Sequence, residues 1–290
     1  MKEPKGTLMI IGGAESKEDE TQLIMETESK DFIKFEILKH LLPEHKKHTT
    51  MELVTTATSE PEEVADAYRR TFHTLGFENM NIMHIESREQ AEDEEIIERI
   101  NKAHTLMFSG GDQFKLTTIL GGTKFIERIA DKYCSDKTFT VAGTSAGAHA
   151  MAKIMIYEGS TLESILKGDV KTMSGLGLID SCIMDTHFVK RGRVGRIASA
   201  VITNPTCVGI GLGEDTALIV KGTGHMKCIG SGMVTIIDGH DIKYTNINET
   251  ESGEPLCVEN LRVHLLCRGN EFDLFERKFY PGDIMPKETK

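Results

Sequence analysis

The strongest constraint on the fold is the order of apolar runs. From the N-terminus to about residue 150, short apolar stretches alternate with helical patterns. Thr7–Ile11 reads as a strand ending in Gly12-Gly13. Asp31–Leu42 spaces Phe32, Phe35, Ile37, Leu38 and Leu41 as a helix and stops before Pro43. Met51–Thr55 is a strand. Ser59-Glu60-Pro61-Glu62 opens a helix that runs to Leu75-Gly76, with a Ser cap, Pro in the first turn and acids suited to the helix dipole. Asn81–Ile85 reads as a strand, Arg88–Lys102 as an acidic surface helix, and Thr105–Phe108 as a strand running into Ser109-Gly110-Gly111-Asp112. Two helical stretches follow, then the strand Thr138–Ala142. This alternation predicts an α/β fold: a doubly wound, mostly parallel sheet flanked by helices. From about Cys207, short strands with Gly turns take over: Val208–Gly211, Ala217–Val220, Met226–Ile229, Met233–Ile237 and Leu261–Leu266. They predict antiparallel hairpins toward the C-terminus. The polar stretch Asn246–Pro255 reads as a loop. With no linker, repeat or low-complexity stretch, residues 1–290 read as a single domain.

Composition narrows the function. The chain carries 34 Lys+Arg and 45 Asp+Glu, a net charge of −11, and no basic block with interleaved aromatics. No nucleic-acid partner is expected. No run approaches the roughly 18 apolar residues of a membrane span. The N-terminus, Met1-Lys-Glu-Pro-Lys5, leads into an apolar strand with neither a long apolar leader nor a small-residue cleavage site, so a cytoplasmic protein is expected. Six cysteines stand singly, with no C-x-x-C pair, and read as reduced and buried. The eleven histidines make no H-x-x-x-H or H-E-x-x-H motif. Neither a metal nor a cofactor is expected.

The sharpest local signal is Gly143-Thr144-Ser145-Ala146-Gly147, which follows an apolar strand and precedes a helical pattern. G-x-S-x-G in that context reads as a nucleophile elbow; as a Gly-rich packing turn, the same segment would use Ser145 only as a helix cap. The elbow turn is strained, the flanking residues must be small, and the serine oxygen projects above the sheet at the positive end of the helix. The Ala146 backbone N–H can then donate to an oxyanion. Ser109-Gly110-Gly111-Asp112-Gln113 also ends a strand, so both Gly turns fall on one rim of the sheet. Gly111 is the candidate second oxyanion donor. As a simple turn, the same segment would use Asp112 as a helix cap.

A nucleophilic serine needs a base. His187, in Asp185-Thr186-His187-Phe188, follows an apolar stretch and precedes Arg191, Arg193 and Arg196. Three arginines beside a base can bind carboxylates, or form an exposed basic helix face. His149, four residues after Ser145, is the rival base, although its helix position directs it away from the serine oxygen. His104 reads as structural. Glu158, Glu163, Asp169, Asp185, Glu214 and Asp215 are candidates for the group that orients the base, and local patterns do not choose among them.

Taken in order, the motifs resemble the cyanophycinases, serine peptidases related to the aspartyl dipeptidase peptidase E. The similar stretches are Gly6–Glu15, Ala57–Pro61, Phe108–Gln113, Gly143–Ala148, Asp185–Phe188 with its three arginines, and Gly209–Ala217. They span nearly the whole chain. The resemblance implies a fold like the class I glutamine-amidotransferase domains and a homodimer. It implies hydrolysis of cyanophycin, a poly-aspartate bearing arginine on its side chains, to β-Asp-Arg dipeptides through an acyl-enzyme on Ser145. In that scheme His187 is the base and Glu163, 18 residues after the serine, is the orienting acid. Asp112, Gln113, Asp185, Thr186, Arg191, Arg193 and Arg196 contact the substrate. The chain departs from the family pattern twice: Thr186 stands where Gln is usual, and Gly213 where an acid precedes Glu214-Asp215. Both departures bear on substrate contacts, so short aspartyl peptides are the alternative substrate. A non-catalytic binding protein of this fold is the other alternative, although both Ser145 and His187 are present.

Overall fold

Five of the apolar runs lie side by side, all pointing the same way. In a computed structural model, which describes residues 3–17, 32–43, 49–160, 165–222 and 224–282, they are β1 (Thr7–Ile11), β2 (Met51–Val54), β3 (Met80–Met83), β4 (Thr105–Phe108) and β5 (Thr140–Thr144). They pair in parallel in the order β1-β5-β4-β2-β3. Helices α1 (Glu36–Lys39), α2 (Pro61–Thr74), α3 (Glu94–Lys102), α4 (Gln113–Leu120), α5 (Lys124–Ser135) and α6 (Ala146–Met151) lie between and after these strands in the sequence. Strands this apolar on both sides need cover on both faces. Leu8, Ile10, Leu106, Phe108 and Val141 enter one hydrophobic cluster, whereas Met9, Ile11, Met107 and Ala142 enter another with α1 and α2. The period-2 alternation along each strand thus divides the core into two.

Beyond α6 come β6 (Ile154–Glu158) and β7 (Lys171–Ser174), an antiparallel pair, then β8 (Cys182–Asp185), α7 (Val194–Thr203) and β9 (Val208–Leu212). Next are β10 (Thr216–Lys221), β11 (His225–Gly230), β12 (Val234–Asp238), β13 (Tyr244–Thr245), β14 (Val258–Glu259), β15 (Arg262–Leu266), β16 (Glu271–Asp273) and β17 (Lys278–Tyr280). The C-terminal strands pair antiparallel as expected, but they divide between two sheets. β10, β11, β16 and β17 extend the main sheet from β1 to nine strands. β9, β12 and β15 form a second, four-stranded sheet in which β8 lies parallel to β9. The chain therefore crosses from one sheet to the other between β9 and β10, at Gly213-Glu214-Asp215. Among the described residues, no helix is long and apolar enough to cross a membrane.

Three elements are shorter than their sequence patterns. The helix expected over Arg88–Lys102 is interrupted at Asp93, which is extended and caps α3 through the Glu95 N–H at 2.8 Å; a 3₁₀ turn, Gln90–Glu92, precedes it. β5 starts at Thr140 because Asp136 accepts from both the N–H and the hydroxyl of Thr138 and holds it in a turn. Within Asp31–Leu42 only Glu36–Lys39 is α-helical, after Phe35 in a left-handed conformation; Asp31 lies outside the described residues.

The carboxyl ends of β1, β4 and β5 meet on one rim, and α6 reaches it only because Gly147 lacks a side chain. A Cβ on Gly147 would sit 2.5 Å from the Phe108 carbonyl oxygen, and one on Gly143 would sit 2.6 Å from the Gly147 backbone. Gly147→Ala is therefore expected to destabilise the fold by about 1–3 kcal/mol, the usual effect of overpacking a tight contact. Urea unfolding measures this, and a change within error of zero would show that the helix can back away from the strand.

Candidate active site

Ser145 is the residue between β5 and α6. Its backbone (φ 51°, ψ −111°) is one a non-glycine residue adopts only under constraint. The constraint is visible: its N–H donates to the Ile11 carbonyl at 3.0 Å, and its carbonyl accepts the first helical bond from His149, also at 3.0 Å. The side chain therefore leaves the sheet toward His187. The Ser145 Oγ–His187 Nε2 distance is 3.1 Å.

His187 follows the end of β8 by two residues, again with positive φ (50°). Its N–H donates to the Gly12 carbonyl at 3.0 Å. The imidazole lies over Gly13, where a Cβ would come within 2.6 Å of Nε2. On the far side of the ring, Nδ1 is 2.8 Å from Glu214 Oε1. A carboxylate there selects the tautomer with N–H on Nδ1, which leaves the Nε2 lone pair facing the serine hydroxyl. Lys190 Nζ lies 3.3 Å from the other oxygen of Glu214. Burial alone would raise the Glu214 pKa, but the hydrogen bonds from His187 and Lys190 outweigh it and hold the carboxyl below its ordinary range. Glu163 lies outside the described residues.

Small residues flank the serine. Ala146 opens α6, so its N–H is outside the helical ladder. Gly111 has φ +139°, and a Cβ there would meet the Ala57 oxygen at 2.2 Å. A Cβ on Gly110 would be 3.5 Å from Ser145 Cβ. On this side a cavity of about 390 Å³ opens beside Ser145, bounded by Gly13, Gly110 and Gly111. Its wall includes Glu15, 1% exposed, which accepts from Tyr68 Oη and, at 2.7 Å, from Thr144 Oγ1. Burial opposes the charge on Glu15, but Lys17 and these two hydroxyls reverse the balance and lower its pKa. Glu60 and Glu63, both exposed, stand at the mouth of the cavity.

The other expected contact residues separate into exposed and internal groups. Asp185 is fully buried. Its Oδ1 accepts from the Thr186 N–H at 2.9 Å and from Arg193 at 2.7 Å. Arg196 Nε lies 3.1 Å from Oδ2, an ion pair without hydrogen-bond alignment. Arg193 also donates to the Thr186 carbonyl, and Arg196 to that of Gly159. The expectation that Asp185 presents its charge to a substrate therefore needs correction: it is fully buried and paired with both Arg193 and Arg196, which are directed onto it. Burial works against ionisation of Asp185, but His149 and the two arginines prevail and its pKa is lowered. Thr186, 2% exposed, faces His149. Arg191 remains exposed. Asp112 is the helix cap of α4, accepting from the N–H groups of Phe114 and Lys115, and Gln113 is the first residue of that helix.

The model of peptidase family S51 matches residues 22–227 of the chain. A cyanophycinase of Trichormus variabilis is 36% identical over 230 residues, covering 79% of this chain and 77% of the relative. A cyanophycinase of Synechococcus elongatus is 30% identical over 282 residues, 97% of this chain and 83% of the relative. The chain belongs to peptidase family S51. It is thus a peptidase of the cyanophycinase and peptidase E kind. A solved peptidase from an acI-B1 Actinobacterium shares the fold, with a TM-score of 0.64 at 22% identity over 94% of this chain and 98% of that one.

Within this S51 site, Glu214 beside the imidazole is one of the six acids that the sequence offers as the orienting group. The signal that could have favoured it is the strand–turn–strand pattern around Gly213-Glu214-Asp215, which places a carboxylate at a strand end. Glu15 lies in a segment similar to the family, but its burial against Tyr68 comes from packing across α2 and has no local signature.

The pH response of the Glu214–His187 pair follows from sign. A carboxyl whose folded pKa is lowered adds stability above its unfolded pKa, and that stability is lost as pH falls through the folded value. Wild type is therefore expected to exceed Glu214→Gln in unfolding free energy above about pH 5, with the gap closing below the ordinary carboxylate range near pH 4. Denaturation curves between pH 3 and pH 7 test this; a gap independent of pH would rule out the charge as its source.

Proposed function

We propose that this S51 peptidase is a serine exopeptidase that hydrolyses cyanophycin to β-Asp-Arg dipeptides, with Ser145 as nucleophile, His187 as base and Glu214 as the acid that orients it. The observation that carries the reading is the continuous line from Ser145 Oγ to His187 Nε2 (3.1 Å) and from Nδ1 to Glu214 (2.8 Å), at a strained turn on the rim of the sheet. In the first step the serine proton passes to Nε2 and Oγ attacks the carbonyl carbon. The resulting oxyanion accepts from the N–H groups of Ala146 and Gly111. His187 returns its proton to the leaving amine, and Ser145 holds the acyl group as an ester. Water, deprotonated by the same nitrogen, then releases the product and restores the serine. Glu214 accepts from Nδ1 throughout and stabilises the imidazolium that forms.

The substrate assignment rests on family relatives and on the charges around Ser145. β-Asp-Arg units carry both guanidinium groups and carboxylates. Arg191 supplies an exposed cation on the His187 side. Glu60 and Glu63 supply carboxylates at the mouth of the cavity, in place of the buried Asp185 and the capping Asp112. Glu60, the N-cap residue of α2, makes no side-chain cap hydrogen bond.

Incubation of the protein with cyanophycin, with products read by mass, tests the reading. Wild type is expected to release β-Asp-Arg, and Ser145→Ala to lose about 10⁴-fold or more in turnover. Equal release by both proteins would reject Ser145 as nucleophile. Hydrolysis of short aspartyl peptides with none of the polymer would keep the mechanism and replace the substrate. Glu60→Gln combined with Glu63→Gln is expected to raise KM for the polymer about tenfold with little change in kcat, as for loss of uniform binding. An unchanged KM would remove the two acids from substrate recognition.

A further inference from the structure

His149 has no part in the mechanism above, yet it is 3% exposed and lies between two of its members. It sits one turn after Ser145 on α6, and its N–H closes the first helical bond on the Ser145 carbonyl. Its Nε2 is 3.0 Å from Thr186 Oγ1 and 3.4 Å from Asp185 Oδ1. Thr186 is the residue before His187, and Asp185 ends β8. Nδ1 is buried with no hydrogen-bond partner among the described residues. An imidazole that leaves a buried nitrogen unpaired gives up hydrogen-bonding energy. It makes contact instead through Nε2 alone, and both neighbours of that atom can accept from it. The ring thereby joins the helix that carries the nucleophile to the strand end that carries the base. Thr186 takes part through its hydroxyl, at one of the two positions where the chain departs from the usual family pattern.

We propose that His149 is a positioning residue for the reaction: through Nε2 it holds Thr186 and Asp185 against α6 and so sets the approach of His187 to Ser145. This rests on the serine mechanism proposed above. A shift of about 1 Å in the reacting groups can lower a rate by about 100-fold, so the link acts on turnover and not on substrate binding.

Three variants test it: His149→Ala, which removes the link; His149→Gln, whose amide nitrogen can donate from nearly the same place; and Thr186→Val, which keeps the shape of residue 186 without its hydroxyl. His149→Ala is expected to lower kcat about 10- to 100-fold with KM within about twofold. His149→Gln should recover most of the loss. Thr186→Val should reproduce part of it, and the Ala/Val double variant should be no slower than His149→Ala alone. In ¹⁵N-histidine spectra, which need no substrate, the His187 ring signals should move in His149→Ala and return in His149→Gln. A kcat within twofold of wild type in His149→Ala would overturn the proposal. So would a loss that follows the melting temperature and is not recovered by Gln, since that marks a purely structural residue. Failure of the serine reading looks different: Ser145→Ala would then match wild type whatever stands at 149.

Discussion

Three successive carbonyls at the end of β1 hold the active site together. Ile11 O accepts from Ser145, Gly12 O from His187 and Gly13 O from Asp215, at 3.0 Å, 3.0 Å and 3.1 Å, and the Gly12 N–H donates to Thr216 O at 2.8 Å. One short turn thus fixes the backbones of the serine, the histidine and the loop that bears Glu214. The turn must be glycine for reasons of space as well as conformation. A Cβ on Gly12 would lie 2.0 Å from the Gly213 oxygen, and one on Gly13 would enter the His187 ring. Ser145, His187 and Glu214 come from three chain segments: His187 and Glu214 follow the parallel neighbours β8 and β9, and Ser145 follows β5 in the other sheet. Their common reference is β1, the strand between the parallel and antiparallel parts of the main sheet.

That arrangement explains what could be read from the chain and what could not. The parallel sheet, the elbow serine and the histidine after β8 carry local signals: strand patterns, Gly turns and a G-x-S-x-G spacing. Each is set by neighbours within a few residues. Glu214 is set by long-range topology. It reaches His187 because β9 lies parallel to β8, with Asp185 opposite Gly211, and no periodicity announces which C-terminal strand pairs with β8. The same limit applies to charge. Arg191, Arg193 and Arg196 look alike in the sequence, yet only Arg191 stays exposed, because α7 begins at Val194 and its first turn carries Arg196 down onto Asp185. A charged residue's role follows from where it is buried, and burial is a property of the packed elements.

The buried cluster of Asp185 with Arg193 and Arg196 has consequences for how the histidine loop is held. A carboxylate with no solvent exposure needs charged partners to remain ionised. Here one partner precedes α7 and the other lies in its first turn, while Thr186 donates its N–H to the same carboxylate. The segment 187–193 is therefore tied down at both ends by one carboxylate. Removing Asp185 would take the shared carboxylate partner from both arginines at once, the kind of change that costs about 3–5 kcal/mol where the charges left behind are buried. The arginines thus serve the geometry of His187 through the fold.

Backbone strain completes the argument. Of the eight non-glycine residues with positive φ among the described residues, Ala14, Ser145, His187 and Asp215 all belong to this rim. Each such conformation costs about 1–3 kcal/mol and persists only where its surroundings over-determine it. Ser145, His187 and Asp215 are the three residues whose N–H groups bond to the β1 turn, and Ala14 is the next residue along that turn. The hydrogen bonds and the strain therefore coincide residue by residue. Relaxing any one φ would break its bond to the turn. The strands β1, β2 and β4, buried on both faces, contribute the stability that offsets the strain. The serine hydroxyl, the imidazole and the carboxylate accordingly stand in line through the fold alone, the preorganisation that the proposed serine mechanism calls for.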